Sequence, residues 1–218
     1  MELKGKKIAF LGDSITEGCG TTGEDATFWR ILGRETGAEV FGYGIGGTRI
    51  APQHTPSESA VWDQDFLSRV DTMIPDADIV VVFGGTNDFG HGDAPFGTLA
   101  DREPTTFCGA MHTLCRKLLE RYPAAQIVIM TPTHRLSEQD RDINERGIRR
   151  CGALIDYVRA IRETAEYYSI PVLDLYRVSG IQPAVEEMKV RYMPDGLHPN
   201  DAGHVKIAEK LMGFLKSL

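Results

Sequence analysis

Residues 6–18 read KKIAFLGDSITEG, and the first half of that stretch decides the architecture. Ile8, Ala9, Phe10 and Leu11 are an unbroken apolar run, bounded by lysines on one side and Gly12 on the other. A run too short for a helix and apolar on both alternating faces is how a strand buried on both sides of a sheet reads. The same signature returns as IVVVF at 79–83 and IVIM at 127–130. The strand candidates are thus Lys7–Leu11, Glu39–Gly42, Asp78–Phe83, Gln126–Thr131 and Pro171–Leu175. Between them lie helix candidates near 25–36, 59–70, 106–121, 148–168 and 201–217. The last of these carries Val205, Ile207, Ala208, Leu211, Met212 and Leu215 as a helical stripe. Alternating strands and helices predict an α/β fold: a parallel five-stranded sheet with helices on both faces, in one domain over 1–218.

Loop lengths show where function should sit. Returns from helix to strand are tight, at Thr36-Gly37-Ala38, Pro75-Asp76-Ala77, Tyr122 to Ala125 and Ser169-Ile170. Departures from strands are long, at 43–58, 84–105, 132–147 and 176–200. Ligands bind outside the carboxyl ends of the strands in such sheets, and long connections tend to be functional. The spare chain therefore gathers on one rim.

Composition excludes several classes of protein. With 42% hydrophobic residues the chain can build a sizeable core, and a net charge of −7 argues against a nucleic-acid partner. No apolar stretch approaches the ~18 residues of a membrane span, and no basic amphipathic helix suits a membrane surface. Cys19, Cys108, Cys115 and Cys151 show no CxxC spacing and read as free thiols in a reducing compartment, so a cytoplasmic location is expected. Nothing in the pattern sets an oligomeric state.

Four elements on the expected rim carry chemistry. Ser14 follows the first strand, where its hydroxyl reaches the rim and its N–H lies near a helix N-terminus. Alone, a serine there is most often a cap. Near the other end, Asp195 precedes His198 by three residues in a proline-bracketed turn, Pro194 to Pro199. A carboxylate so placed can hold Nδ1–H and leave Nε2 as a base, which is what activates a serine. The loop Gly42-Tyr43-Gly44-Ile45-Gly46-Gly47 lets backbone approach a ligand closely, and Asn87 lies just past the most apolar strand. The N–H groups of Ser14 and Gly47 with Nδ2 of Asn87 would make a three-donor oxyanion hole. Asp13 and Asp88 adjoin these groups and are expected to be structural hydrogen-bonders.

The set Ser14, Gly47, Asn87 and His198 resembles the SGNH hydrolase family, also called GDSL esterases and lipases. Its blocks appear in order as GDSI at 12–15, GYGIGG at 42–47, GGTND at 84–88 and DGLHP at 195–199, spanning nearly the whole chain. The resemblance implies a three-layer α/β/α sandwich of flavodoxin-like type, no metal or other cofactor, and hydrolysis of small-molecule esters or thioesters through an acyl-serine. Ile15 replaces the usual leucine, and Gly42 stands where an asparagine is common, so any hydrogen bond from that side chain is absent.

Two other readings use the same residues. A flavodoxin-like phosphate- or nucleotide-binding protein would cradle an anion in GDSITEGCGTTG, leaving Asn87 and the Asp195–His198 pair without a task. A metal-dependent phosphoesterase would draw on Asp13, Asp88, His198, Asp201 and His204, but their spacing matches no metal motif, and His204 is expected to pack or cap on the last helix. The rim loops also carry Arg49, His54, Trp62, His91, Arg102, His134, Arg135, Arg141 and Arg146, each expected to be a solvated surface residue. Their polar, aromatic-poor character favours short acyl groups on a hydrophilic alcohol, such as acetylated sugars.

Overall fold

The computed structural model describes residues 1–140 and 152–218. Strands β1 (Lys7–Gly12), β2 (Glu39–Gly44), β3 (Ile79–Phe83), β4 (Gln126–Met130) and β5 (Val172–Leu173) form one sheet. Every pairing is parallel, and the spatial order is β2-β1-β3-β4-β5. The helices are α1 (Ser14–Glu17), α2 (Phe28–Thr36), α3 (Phe66–Arg69), α4 (Thr86–His91), α5 (Phe107–Arg121), α6 (Leu154–Tyr167), α7 (Leu175–Val178), α8 (Glu186–Tyr192) and α9 (Asp201–Ser217).

Alternation along β1, β3 and β4 explains their continuous apolar runs. Ala9, Leu11, Val80, Val82, Ile127 and Ile129 face one core with residues of α3, α5 and α6. Their neighbours Ile8, Phe10, Ile79, Val81, Phe83, Val128 and Met130 face the opposite core with α2 and α9. Successive side chains point to opposite faces, so a strand covered on both sides must be apolar at every position. Two of the long helices start where a side chain satisfies one of their first N–H groups: Thr106 accepts from Gly109 ahead of α5, and Asn200 accepts from Gly203 ahead of α9.

Several expected boundaries shift. The predicted helix over 59–70 is broken into a 3-10 turn at Ala60–Asp63 and α3, followed by a second 3-10 turn at Val70–Thr72. Asp65 interrupts it because its side chain accepts from Ser68 N–H and caps α3 instead of continuing a helix. The expected start of the fourth helix near 148 lies outside the described residues, and α6 begins at Leu154. The connection 176–200 contains most of α7 and all of α8 rather than plain loop. Strand β5 is shorter than expected.

Register brings the functional segments together. Gly12, the last residue of β1, is level with Gly44 of β2 and Phe83 of β3. The chain leaving β1 therefore emerges between the loops that follow β2 and β3. Helix α1 lies directly on the end of β2: a Cβ on Gly44 would collide with the backbone of Thr16 and Glu17. Gly44→Ala is accordingly expected to lower stability by about 1–3 kcal/mol, the range for overpacking a close contact. Urea unfolding of the two proteins measures this, and equal midpoints would show that α1 yields without cost.

Candidate active site

At the end of β1, Asp13 caps α1, its Oδ1 accepting the Ile15 N–H at 3.0 Å. This cap turns the chain so that Ser14 opens α1 with its hydroxyl on the rim. Ser14 Oγ lies 3.0 Å from His198 Nε2, across 184 residues of sequence. His198 Nδ1 lies 2.7 Å from Asp195 Oδ2, while Asp195 Oδ1 accepts the N–H groups of Leu197 at 2.8 Å and His198 at 2.7 Å. Burial pushes the Asp195 carboxyl up, but these donors outweigh it and hold the group below its ordinary value. An ionised carboxylate only accepts, so the ring proton sits on Nδ1 and Nε2 is left to accept from the serine hydroxyl.

The turn carrying His198 is held at both ends. Leu136 N–H donates to Gly196 O at 2.8 Å and Asn200 N–H to Tyr192 O at 2.9 Å. Behind the turn, the Asp201 carboxylate accepts from Thr22 N–H and Oγ. His204 is fully buried between α9 and α2, where its Nδ1 accepts the Phe28 N–H at 3.0 Å. Burial lowers its imidazole to about 4, so it is neutral. His204 thus packs inside and caps α2, as expected of a structural residue. Among the described residues no group of His, Cys, Asp and Glu is arranged to hold a metal ion.

The glycine loop after β2 is pinned from three directions. Glu17 Oε2 accepts the Gly46 N–H at 2.8 Å. Asn87 Nδ2 donates to Thr48 O at 2.9 Å, which occupies one of its two hydrogens. Asp88 accepts from Ile50 and Ala51 N–H at 3.0 and 2.9 Å. Gly47 adopts φ +73°, a left-handed conformation suited to glycine, and the Trp62 indole occupies the space a Cβ would need. Among the described residues neither Ser14 N–H nor Gly47 N–H donates to another protein group. Gly42 is explained from the other side of the strand, where Trp29 covers it so closely that an asparagine would not fit. The indole N–H of Trp29 instead ties down Thr16 O at 2.9 Å. Rigidity that an asparagine side chain would give elsewhere comes here from Glu17, Asn87 and Asp88.

The structure thus brings Ser14, Gly47, Asn87 and His198 to the wall of one open cleft of about 1020 Å³, with Asp195 behind His198. Glu17, Cys19, Trp62, His91 and Arg135 line the same cleft. Cys19 is a free thiol that burial and the adjacent Glu17 push upward, which keeps it protonated at neutral pH. Cys108 and Cys115 are buried, while Cys151, Arg141 and Arg146 lie outside the described residues. Two rim arginines depart from expectation. Arg49 is 1% exposed, donating to Trp62 O, Asp63 Oδ1, Ser57 Oγ and Gly47 O and lying 3.0 Å from His91 Nδ1. Arg135 is also buried, against Thr86 and the Phe89 ring. The loops are short of carbonyl partners once they leave the sheet, and guanidinium forks satisfy them. Arg69, likewise buried, went unmarked in the sequence because an arginine on a short amphipathic segment gives no signal of burial.

The sequence pattern of the GDSL-like lipase/acylhydrolase family matches residues 10–206, and the chain belongs to that family. It is 25% identical to GDSL lipase Rv0518 of Mycobacterium tuberculosis over 94% of this chain and 79% of that protein. A crystal structure of a Lactobacillus plantarum protein is 33% identical with a TM-score of 0.82, covering 98% of each chain. The crystal structure of an acetyl xylan esterase, AlAXEase, shares the fold at 21% identity and a TM-score of 0.62, covering 96% of this chain and 99% of that one.

Two carboxyls of the site are raised rather than lowered. Burial lifts both Asp13 and Asp88 to about 6, against the pull of the backbone N–H groups they accept. A carboxyl whose folded value lies above its unfolded one destabilises the fold once ionised. The cost is absent below about pH 4, grows as pH rises towards 6 and is constant above that. Asp88→Asn removes this dependence, so the stability of wild type relative to the variant should fall by on the order of 2–3 kcal/mol between pH 4 and pH 7. Denaturant titrations across that range measure it. A difference that does not change with pH would place the Asp88 carboxyl at its ordinary value.

Proposed function

We propose that the protein is a serine esterase that cleaves carboxylic esters of short acyl groups on hydrophilic alcohols. The observation that carries the reading is the continuous hydrogen-bonded line from Ser14 Oγ through His198 to Asp195 on the wall of an open cleft. In this reading Ser14 Oγ attacks the ester carbonyl as its proton passes to His198 Nε2. Asp195 holds the ring by Nδ1–H and stabilises the imidazolium that forms. The carbonyl oxygen becomes an oxyanion held by Ser14 N–H, Gly47 N–H and the second Nδ2 hydrogen of Asn87. The imidazolium then protonates the departing alcohol, leaving an acyl-serine. A water gives its proton to His198 and attacks the acyl carbon, and Ser14 is regained as the acid leaves.

Substrate size follows from what lines the cleft. Glu17, Glu58, His91 and Arg135 are poor neighbours for a long alkyl chain, so the reading favours water-soluble esters over lipids despite the lipase in a relative's name. Acetylated sugars fit that chemistry, and an acetyl xylan esterase lies among the proteins of similar fold. The phosphate-binding alternative is disfavoured because the buried Asp13 carboxyl already occupies the start of α1.

Two experiments test the reading. Ser14→Ala should lower kcat on a simple acetate ester by about 10⁴–10⁶-fold with an unchanged melting curve, and a fluorophosphonate should add to Ser14 alone. Wild-type turnover in the variant, or a label on another residue, overturns the nucleophile. Asn87→Ala and Asn87→Asp address the oxyanion. An oxyanion donor requires kcat to fall by about 10²–10³-fold with little change in KM, the aspartate being the worse of the two. A residue that merely braces Thr48 would cost stability and leave kcat within a few-fold, which would remove Asn87 from the mechanism.

A further inference from the structure

The chain has two tryptophans, and they are used in opposite ways. Trp29 is 5% exposed and packs over Gly42, whereas Trp62 is 40% exposed and lines the cleft. A large indole left in water beside a candidate site forgoes the burial that normally stabilises it. The exposure is not a loose end of a floppy loop. Buried Arg49 fixes the segment, donating at 2.9 Å to Trp62 O and at 2.8 Å to Asp63 Oδ1, and it also reaches Gly47 O at 3.4 Å and His91 Nδ1 at 3.0 Å. Phe66 N–H closes the arrangement by donating to Arg49 O at 2.9 Å. One guanidinium therefore positions the ring-bearing segment and the oxyanion loop relative to each other. The Trp62 ring rests against Gly47 on one side and stands 5.9 Å from the His91 ring, tilted by 49°.

We propose that Trp62 is the platform on which the substrate's alcohol rests, and that this alcohol is a sugar ring. The proposal rests on the esterase reading above and adds to it a residue that selects the substrate. A pyranose has one face of polarised C–H groups, which an electron-rich indole face attracts, and an edge of hydroxyls that needs polar partners. Glu17, Glu58 and His91 line the same cleft and can supply them. A flexible alkyl chain would find one apolar surface and then charged groups, and a small alcohol would leave the indole uncovered.

The test compares methyl 6-O-acetyl-glucopyranoside with ethyl acetate in wild type, Trp62→Leu and Trp62→Phe. Leucine keeps an apolar group against Gly47 without a flat face, and phenylalanine keeps a ring. The ratio of kcat/KM for the sugar ester over ethyl acetate should fall about tenfold or more in Trp62→Leu, mainly through KM, and recover most of its value in Trp62→Phe. In a Ser14→Ala background, the acetylated glucoside should produce a saturable change in tryptophan emission that the Trp62→Phe substitution abolishes. An unchanged ratio overturns the proposal. If both substrates lose equally, the indole is a prop for Gly47 and not a platform. Wild-type turnover of ethyl acetate but not of the sugar ester overturns the platform alone. Absence of wild-type turnover on both esters overturns the esterase reading and the platform with it.

Discussion

Where β1 and β2 end, the ladder closes with a 3.2 Å bond from Ile45 N–H to Gly12 O, and the chains beyond it part. Arg69 fills that gap from within the protein. Its guanidinium, 5% exposed, donates to Gly12 O, Tyr43 O and Thr48 Oγ1, and its Nε to Gln64 O. Burial lowers it to about 10, with Asp13 and Asp65 opposing, so it remains charged at neutral pH. One rigid, planar group thus ties together the ends of β1 and β2, the loop at Thr48 and the segment ahead of α3. Ser14 follows the first of these and Gly47 precedes Thr48, so Arg69 joins Glu17 and the β1–β2 register in holding the serine and the glycine loop at a fixed spacing. Leaving a buried carbonyl short of a donor costs about 1–3 kcal/mol, and an arginine fork reaches several acceptors at once where a lysine cannot.

The three aspartates around the site show how surroundings divide one chemistry into different tasks. Asp13 and Asp88 are sealed inside and raised to about 6, and each organises backbone N–H groups. Asp195 keeps contact with solvent, accepts three hydrogen bonds and is held below its ordinary value. Only the last is firmly ionised under mildly acid conditions, and it is the one beside the imidazole. The two raised carboxyls brace α1 and the chain beyond the glycine loop, and their ionisation is a burden the fold carries for that geometry.

Much of this was legible in the sequence because the sheet core is insensitive to detail. IAFL, IVVVF and IVIM must be apolar on both faces, and that requirement survives any change in what the rim does. The asymmetry between tight returns and long departures placed the rim, and Ser14, Gly47, Asn87, Asp195 and His198 fell where those departures begin or end. What stayed hidden was whatever depended on partners distant in sequence. Asp65 broke the expected helix because it serves α3 as a cap, and α7 and α8 are too short to show a period. Arg49 and Arg135 looked like surface charges and Arg69 gave no signal, since burial of an arginine depends on carbonyls that only the folded loops present. Trp62 gave no sign that its ring would lie against Gly47, fifteen positions earlier in the chain.

The Ser14–His198 contact spans 184 positions, and the turn bearing the imidazole runs straight into α9. The other half of the contact directly follows β1, an interior strand paired on both sides. The two halves therefore have different lifetimes. β1 can be freed only by dismantling both cores, whereas α9 lies on one face, and its release would carry His198 away with the sheet still standing. The fraction of time that hydroxyl and imidazole spend together then depends on the docking of the last helix against α2 as well as on the Leu136–Gly196 bond that holds the turn. A substitution at Leu211 or Leu215, deep in that contact and far from the cleft, would act as a dimmer on the whole site.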